Sequence, residues 1–162
     1  MKKLVNIAAA AGLSLVLAGC YTAEDSVIDQ GVTPYETITF TADGDDDPSV
    51  LTRSGDGYVT QQEDVTLTMR FAEIGTDIYV VETTGSDGDQ VMRLYGGVRL
   101  FPEAGRAEAY RMMADEADAG PGLRPCGDDG LCIDDLDAFA RLILADIAAG
   151  ADPMEVYDVT LD

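Results

Sequence analysis

Between residues 65 and 71 the chain reads VTLTMRF. Val65, Leu67, Met69 and Phe71 fall on one side of an extended chain, and Thr66, Thr68 and Arg70 fall on the other. Period-two alternation of this length marks a strand with one face in a core and one face wet. It is incompatible with a helix, whose apolar positions recur every three or four residues. The same pattern returns on both sides at intervals of about ten residues. YETITFTAD alternates before the break GDDDP; SVLTR leads to the turn SGDG; DIYVVETT leads to the turn GSDGD; and QVMRLYGGVRLF follows. Short strands joined by turns of Gly, Asp and Ser predict an antiparallel meander.

Two later stretches read less simply. PEAGRAEAYRM contains good helix formers, but the meander rhythm favours a turn at PEAG with RAEAYRM as the returning strand. The pair Gly96–Gly97 inside a strand points to a bulge or bend. GPGLRPCGDDGLC reads as loop. IDDLDAFARLILADIAAG reads as a helix. Asp134 or Asp135 is suited to cap it, Asp137 favours its first turn, and Gly150 suits its end. Its apolar face would carry Leu136, Phe139, Ala140, Ile143 and Ile147, and PMEVYDVTLD is a last extended segment. The expected fold is therefore α+β: a meander of five or six strands, as a curled sheet or small barrel, with one late helix packed on it.

The first twenty residues, MKKLVNIAAAAGLSLVLAGC, are of another kind. Lys2 and Lys3 precede an apolar run of about 15 residues, shorter than the ~20 that span a bilayer, and the run ends in small residues. This has the form of a secretory signal. LAGC (Leu17–Cys20) resembles the lipobox of bacterial lipoproteins. The resemblance implies cleavage between Gly19 and Cys20, a diacylglycerol on the Cys20 thiol, and usually a further acyl chain on the new N-terminus. Two or more chains give stable membrane attachment. The family commonly marks retention at the inner membrane with Asp after the cysteine. Tyr21 stands there instead, which favours the outer membrane, facing the periplasm. The mature pattern also resembles small bacterial envelope lipoproteins that pair a meander with a late helix. The resulting division is a signal over 1–19, a flexible tether over 20–33, and one α+β domain over 34–162.

Composition narrows the chemistry. Both lysines lie in the signal, leaving eight arginines against 31 acidic residues, 8 minus 31 or −23. There is no histidine and no tryptophan. Histidine-dependent triads, histidine-ligated zinc, lysine Schiff bases and the phosphate loop with its lysine are thereby excluded. The charge opposes nucleic acid. With Cys20 given to lipid, Cys126 and Cys132 are left to form a disulfide in an oxidising compartment. Their spacing differs from that of redox C-x-x-C pairs. TRSGDGYVTQQE (Thr52–Glu63) resembles part of a calcium-binding EF-hand loop but has Thr52 where the first acid belongs, and a hairpin turn using Gly55 and Gly57 is the favoured reading. Asp-rich stretches at 43–47, 86–89 and 127–135 are ordinary turn compositions that would also suit calcium.

No catalytic residue, metal ligand or cofactor is indicated. The leading expectation is a non-enzymatic envelope lipoprotein, held by its lipid, with a structural or protein-interaction role and an envelope protein as partner. The alternatives are a carrier of a small hydrophobic ligand within a curled sheet, and a calcium-binding or inhibitor-type module. A cavity lined by Val65, Leu67, Met69 and Phe71 would favour the carrier. A packed interior with a flat exposed apolar patch would favour partner binding.

Overall fold

The computed structural model describes residues 20–62, 65–87, 90–127 and 129–162. Among the described residues, eleven strands are hydrogen-bonded into one sheet. The first is short, β1 (Tyr21–Thr22). Seven follow as an antiparallel meander: β2 (Thr37–Ala42), β3 (Ser49–Ser54), β4 (Gly57–Gln62), β5 (Val65–Gly75), β6 (Ile78–Asp87), β7 (Gln90–Phe101) and β8 (Arg106–Tyr110). After a hairpin, β9 (Leu123–Cys126) and β10 (Gly130–Ile133), and a helix, α1 (Leu136–Ala149), the last strand β11 (Glu155–Leu161) pairs antiparallel with both β2 and β8. That double pairing closes β2–β8 and β11 into an eight-stranded barrel.

The architecture is thus a mostly antiparallel sheet with one helix, as expected, but with more strands than the five or six anticipated. β4 escapes the pattern because its inward positions include the polar Thr60 beside Tyr58. β9 and β10 lie in a stretch that reads as loop, being short and rich in Gly and Pro. The turn at Pro102–Gly105 and the returning strand β8 agree with the sequence reading.

Alternation splits the apolar residues between two cores. Ile38, Leu51, Tyr58, Met69, Phe71, Tyr79, Val81, Leu94, Val98 and Leu100 point into the barrel. One end, carrying the β3–β4, β5–β6 and β7–β8 turns, is plugged by aromatics. Phe71 packs at a tilt between Tyr58 and Tyr79, with centroids 5.2 and 5.8 Å apart. The Tyr58 hydroxyl donates to the Tyr35 carbonyl at 3.0 Å.

The second core lies outside the barrel wall, where α1 crosses β5, β6 and β7. Phe139 and Ile143 are wholly buried there with Ala72, Val80, Tyr95 and Tyr110. Asp135 caps the helix by accepting from the Asp137 amide at 3.0 Å, and Gly150 ends it at φ 69°. Gly97 seats the helix: a Cβ there would lie 2.8 Å from three carbons of Ile143. The glycine pair makes no bulge, since Val80 and Val81 pair in continuous register with Gly97 and Gly96. The register shift is in β5, between Glu73 and Gly75.

Residues 20–33 are a packed strap, not the flexible tether that their aperiodic polarity suggests. Tyr21 and Ile28 are buried. Arg93 and Arg70 donate to the carbonyls of Glu24 and Asp29, and the Val32 amide donates to the Phe71 carbonyl at 2.8 Å. The strap's apolar side chains fit an irregular outer wall, so no period appears in the sequence.

Candidate functional site

The barrel wall is not uniform. β7 pairs with β8 from Phe101 only as far as Gly97, opposite Tyr110. Beyond that point Tyr95 and Leu94 pair instead with Tyr21 and Thr22 of β1, whose other edge joins β10 in parallel. Meanwhile β8 stays with β11, up to the pair Ala109–Glu155. The wall therefore forks between β1 and β8.

Behind the fork lies a cavity of about 50 Å³ within the barrel. Gly96, which has no side chain, and Ala109, which has a small one, leave this space. Met69, Val81, Leu94, Met112 and Tyr157 complete much of its apolar wall; Ser49, Thr60 and Thr83 add only hydroxyls. A void of this size exceeds what one water needs, about 10–15 Å³, but is well below the 300–1,000 Å³ of a drug-sized ligand site. Met69 and Phe71 line it, as the carrier alternative requires. Leu67 is buried but not part of the lining, and Val65 is half-buried at the strand's start. Gly96, Ala109 and Met112 were not singled out by the sequence as lining. The glycine within a strand was the available signal, because it marks a place where packing space is left open.

Cys20 sits at this fork. It is 3% exposed and belongs to the interior cluster that includes Leu94 and Met112. Burial raises its thiol pKa. Tyr21 points the other way, as alternation requires. Its ring lies 4.6 Å from Phe139, and its hydroxyl donates to Asp118 at 2.8 Å. Burial and that acceptor push the phenol up to about 12. Arg111 joins the same network, donating to Asp118 and, through two nitrogens at 2.5 and 2.7 Å, to Asp146 on α1. The hydrogen bonds to Asp146 hold the guanidinium pKa above its ordinary value, against partial burial. Arg111 adopts φ 52°, a left-handed conformation costly for any residue that carries a Cβ, so the chain turns sharply where β8 ends.

Met112 follows. Its amide lies 3.3 Å from the Met154 sulfur, and the Met154 amide donates to the Ala109 carbonyl at 2.8 Å. The segments after β8 and before β11 are thus tied together at the fork.

The other expected sites resolve differently. Gly19 lies outside the described residues. Cys126 and Cys132 form the disulfide across β9–β10, with Cα atoms 5.6 Å apart, and the Thr22 hydroxyl lies 3.7 and 3.6 Å from their sulfurs. The calcium-like stretch forms the β3–β4 hairpin. The Asp56 carboxylate there accepts from Arg70 at 2.6 Å and from the Gly31 amide at 3.1 Å, contacts that hold its pKa below the usual range. Glu63, its last position, lies outside the described residues. Among the described residues no three acidic or cysteine side chains converge to hold a metal ion, and no helix is long and apolar enough to cross a membrane.

Two carboxylates, Glu82 and Glu108, are buried on the outer face of the wall, away from the void. Tyr95 donates to Glu82 at 2.5 Å; Tyr110 donates to Glu108 at 2.6 Å, and Arg106 pairs with it at 2.8 Å. A broad depression at the aromatic end is larger, about 630 Å³, but lies open to solvent between Thr76 and Ala104. The apolar void within the barrel is the better candidate. No protein-family model, curated protein or solved structure matches the chain.

Proposed function

We propose that this is a lipid-anchored envelope protein whose barrel binds a small apolar molecule in the void behind Gly96 and Ala109. The observation that carries the reading is the incomplete filling of a closed barrel. Eight strands enclose an interior that side chains just fill, or that retains room for one small ligand. Here aromatics fill one end, and a glycine and an alanine leave space near the middle. The anchoring half rests on the LAGC resemblance at residues 17–20. The binding half replaces the partner-binding reading as the leading one. That reading calls for a flat apolar patch; Val50 and Val91 are exposed on β3 and β7, and Met113, Met154 and Val156 are exposed on the segments that flank the fork, so it is the void, and not a lack of exposed apolar residues, that favours binding.

The test is native mass spectrometry of the protein extracted from membranes, beside an Ala109→Val variant. A small apolar molecule retained by the wild type and lost from the variant is expected. Identical, ligand-free spectra refute binding. Cys20→Ser should abolish acyl labelling; persistent labelling refutes the anchor.

A further inference from the structure

We infer that the fork between β1 and β8 is a side entrance to the cavity and that the occupant is a single alkyl chain. The inference rests on the binding reading above and names its ligand class and route. Four observations lead to it. First, the fork is where ladder hydrogen bonds cease: β7 passes from β8 to β1 at Gly97. Separating β1 from β8 therefore breaks side-chain contacts but no strand pairing between them.

Second, the fork is closed by methionine. Met112 lines the cavity and its amide contacts the Met154 sulfur, while Met113 and Met154 are exposed beside it. Methionine is unbranched and readily changes rotamer, and surfaces that adapt to varied apolar ligands use it heavily. Moving Met112 would enlarge a void of about 50 Å³ towards the solvent. Third, among the described residues the lining holds no charged side chain. It offers hydroxyls only, so a carboxylate or phosphate has no counter-charge inside, and burying one would be costly. Arg111, the nearest guanidinium in sequence, is already committed to Asp118 and Asp146. A slender tail can enter while its polar head stays outside.

Fourth, Cys20 occupies the fork itself, in the interior cluster. A thioether-linked diacylglycerol on that sulfur begins at the entrance, so the anchor's own chain and the chain of a separate lipid are both alkyl sources. The experiment separates them. The lipidated protein and the full-length Cys20→Ser chain are each placed in phosphatidylethanolamine–phosphatidylglycerol vesicles containing a phospholipid with a photoreactive diazirine near its acyl terminus. After illumination, adducts are mapped by mass spectrometry. In a third arm the lipidated protein is made in cells fed a diazirine fatty acid, delipidated of free lipid, and illuminated; a cross-link then reports the anchor.

The expected result is adducts on peptides carrying Leu94 or Met112 in at least one arm. Yield should fall about tenfold in Ala109→Val, the effect of ~1.4 kcal/mol lost from binding. Gly96→Ala, which adds one methyl, gives a milder loss and serves where Ala109→Val folds poorly. Adducts confined to outward residues such as Val91, or insensitive to both variants, overturn the inference. Methionine-methyl NMR under xenon pressure separates the two readings. If xenon shifts Met69 and Met112 while no interior adduct forms, the void takes compact apolar ligands and the alkyl route is wrong. If xenon shifts neither, the binding reading falls as well.

Discussion

Gly96 and Gly97 are adjacent on β7 and should respond to the same substitution with opposite signs. In Gly96→Ala the new methyl enters the barrel void. Its nearest neighbours would be Met112 Cγ at 3.6 Å and the Tyr110 carbonyl oxygen at 3.8 Å, ordinary contact distances. Alanine also lowers the entropy of the unfolded chain, worth about 0.4–1 kcal/mol, and burying the methyl adds about 0.8 kcal/mol. The variant should be more stable by about 1–2 kcal/mol, raising Tm by roughly 3–6 °C for a domain of this size. In Gly97→Ala the methyl meets Cγ1, Cγ2 and Cδ1 of Ile143 at 2.8 Å. Ile143 is β-branched and helical, so its rotamer is nearly fixed; the helix itself must move. Overpacking costs about 1–3 kcal/mol, and the same entropic gain offsets only part of it. A net loss of about 1–2 kcal/mol is expected, with Tm lower by roughly 3–6 °C. The assay is thermal and urea unfolding followed by circular dichroism. Gly97→Ala combined with Ile143→Ala should lose less than the sum of the two single variants, by at least about 0.5 kcal/mol. Equal shifts for the two glycines, or a stabilised Gly97→Ala, would refute both the void behind Gly96 and the helix seat at Gly97.

Three further outcomes follow from the same geometry. Replacing Cys126 and Cys132 together by serine frees a seven-residue loop and should cost about 2 kcal/mol, measured as a lower urea midpoint; an unchanged midpoint refutes a stabilising disulfide. All seven tyrosines have phenols raised above the ordinary value, with burial the largest cause, and Tyr21, Tyr79 and Tyr110 are pushed up to about 12. Above pH ~10 the unfolded chain loses phenolic protons that the folded chain keeps, so stability is full below pH ~10 and falls as pH rises from there, by up to about 1.4 kcal/mol per pH unit for each phenol. Urea midpoints that stay level from pH 9 to 11.5 would contradict this. Finally, Arg111→Ala removes hydrogen bonds to two carboxylates and should destabilise by about 2 kcal/mol. Arg111→Gly should be less damaging than Arg111→Ala by about 1 kcal/mol, because glycine adopts φ 52° without the left-handed penalty; equal losses in urea unfolding would show that the backbone there is unstrained.

The strands were legible wherever one face of the chain meets a core and the other meets water, as at Val65–Phe71. The helix was legible because its caps, Asp135 and Gly150, are local chemistry. What could not be read is what depends on distant pairing. β11 joins β2 across more than a hundred residues, with Tyr157 opposite Ala42 and Leu161 opposite Ile38, and no local pattern in PMEVYDVTLD announces that it closes a barrel. The candidate site was hidden for a related reason. A void is made by what is missing, and Gly96 and Ala109 carry no hydrophobic signal of their own. The two glycines read as one feature, yet the pleat sends them to opposite faces: one faces the cavity and the other the helix.

The same alternation gives the N-terminal strap its importance. Tyr21 is fixed outward by Phe139, Asp118 and, through that carboxylate, Arg111 and α1. Period two then turns Cys20 inward, onto the interior cluster. If Cys20 bears lipid, no slack chain separates the anchor from the fold, because ordered pairing begins at the next residue. The fork would then be held at the membrane surface by a short covalent connection. On that reading the anchor and the proposed entrance would be two uses of one position, and the residues that fix Tyr21 would fix the orientation of both.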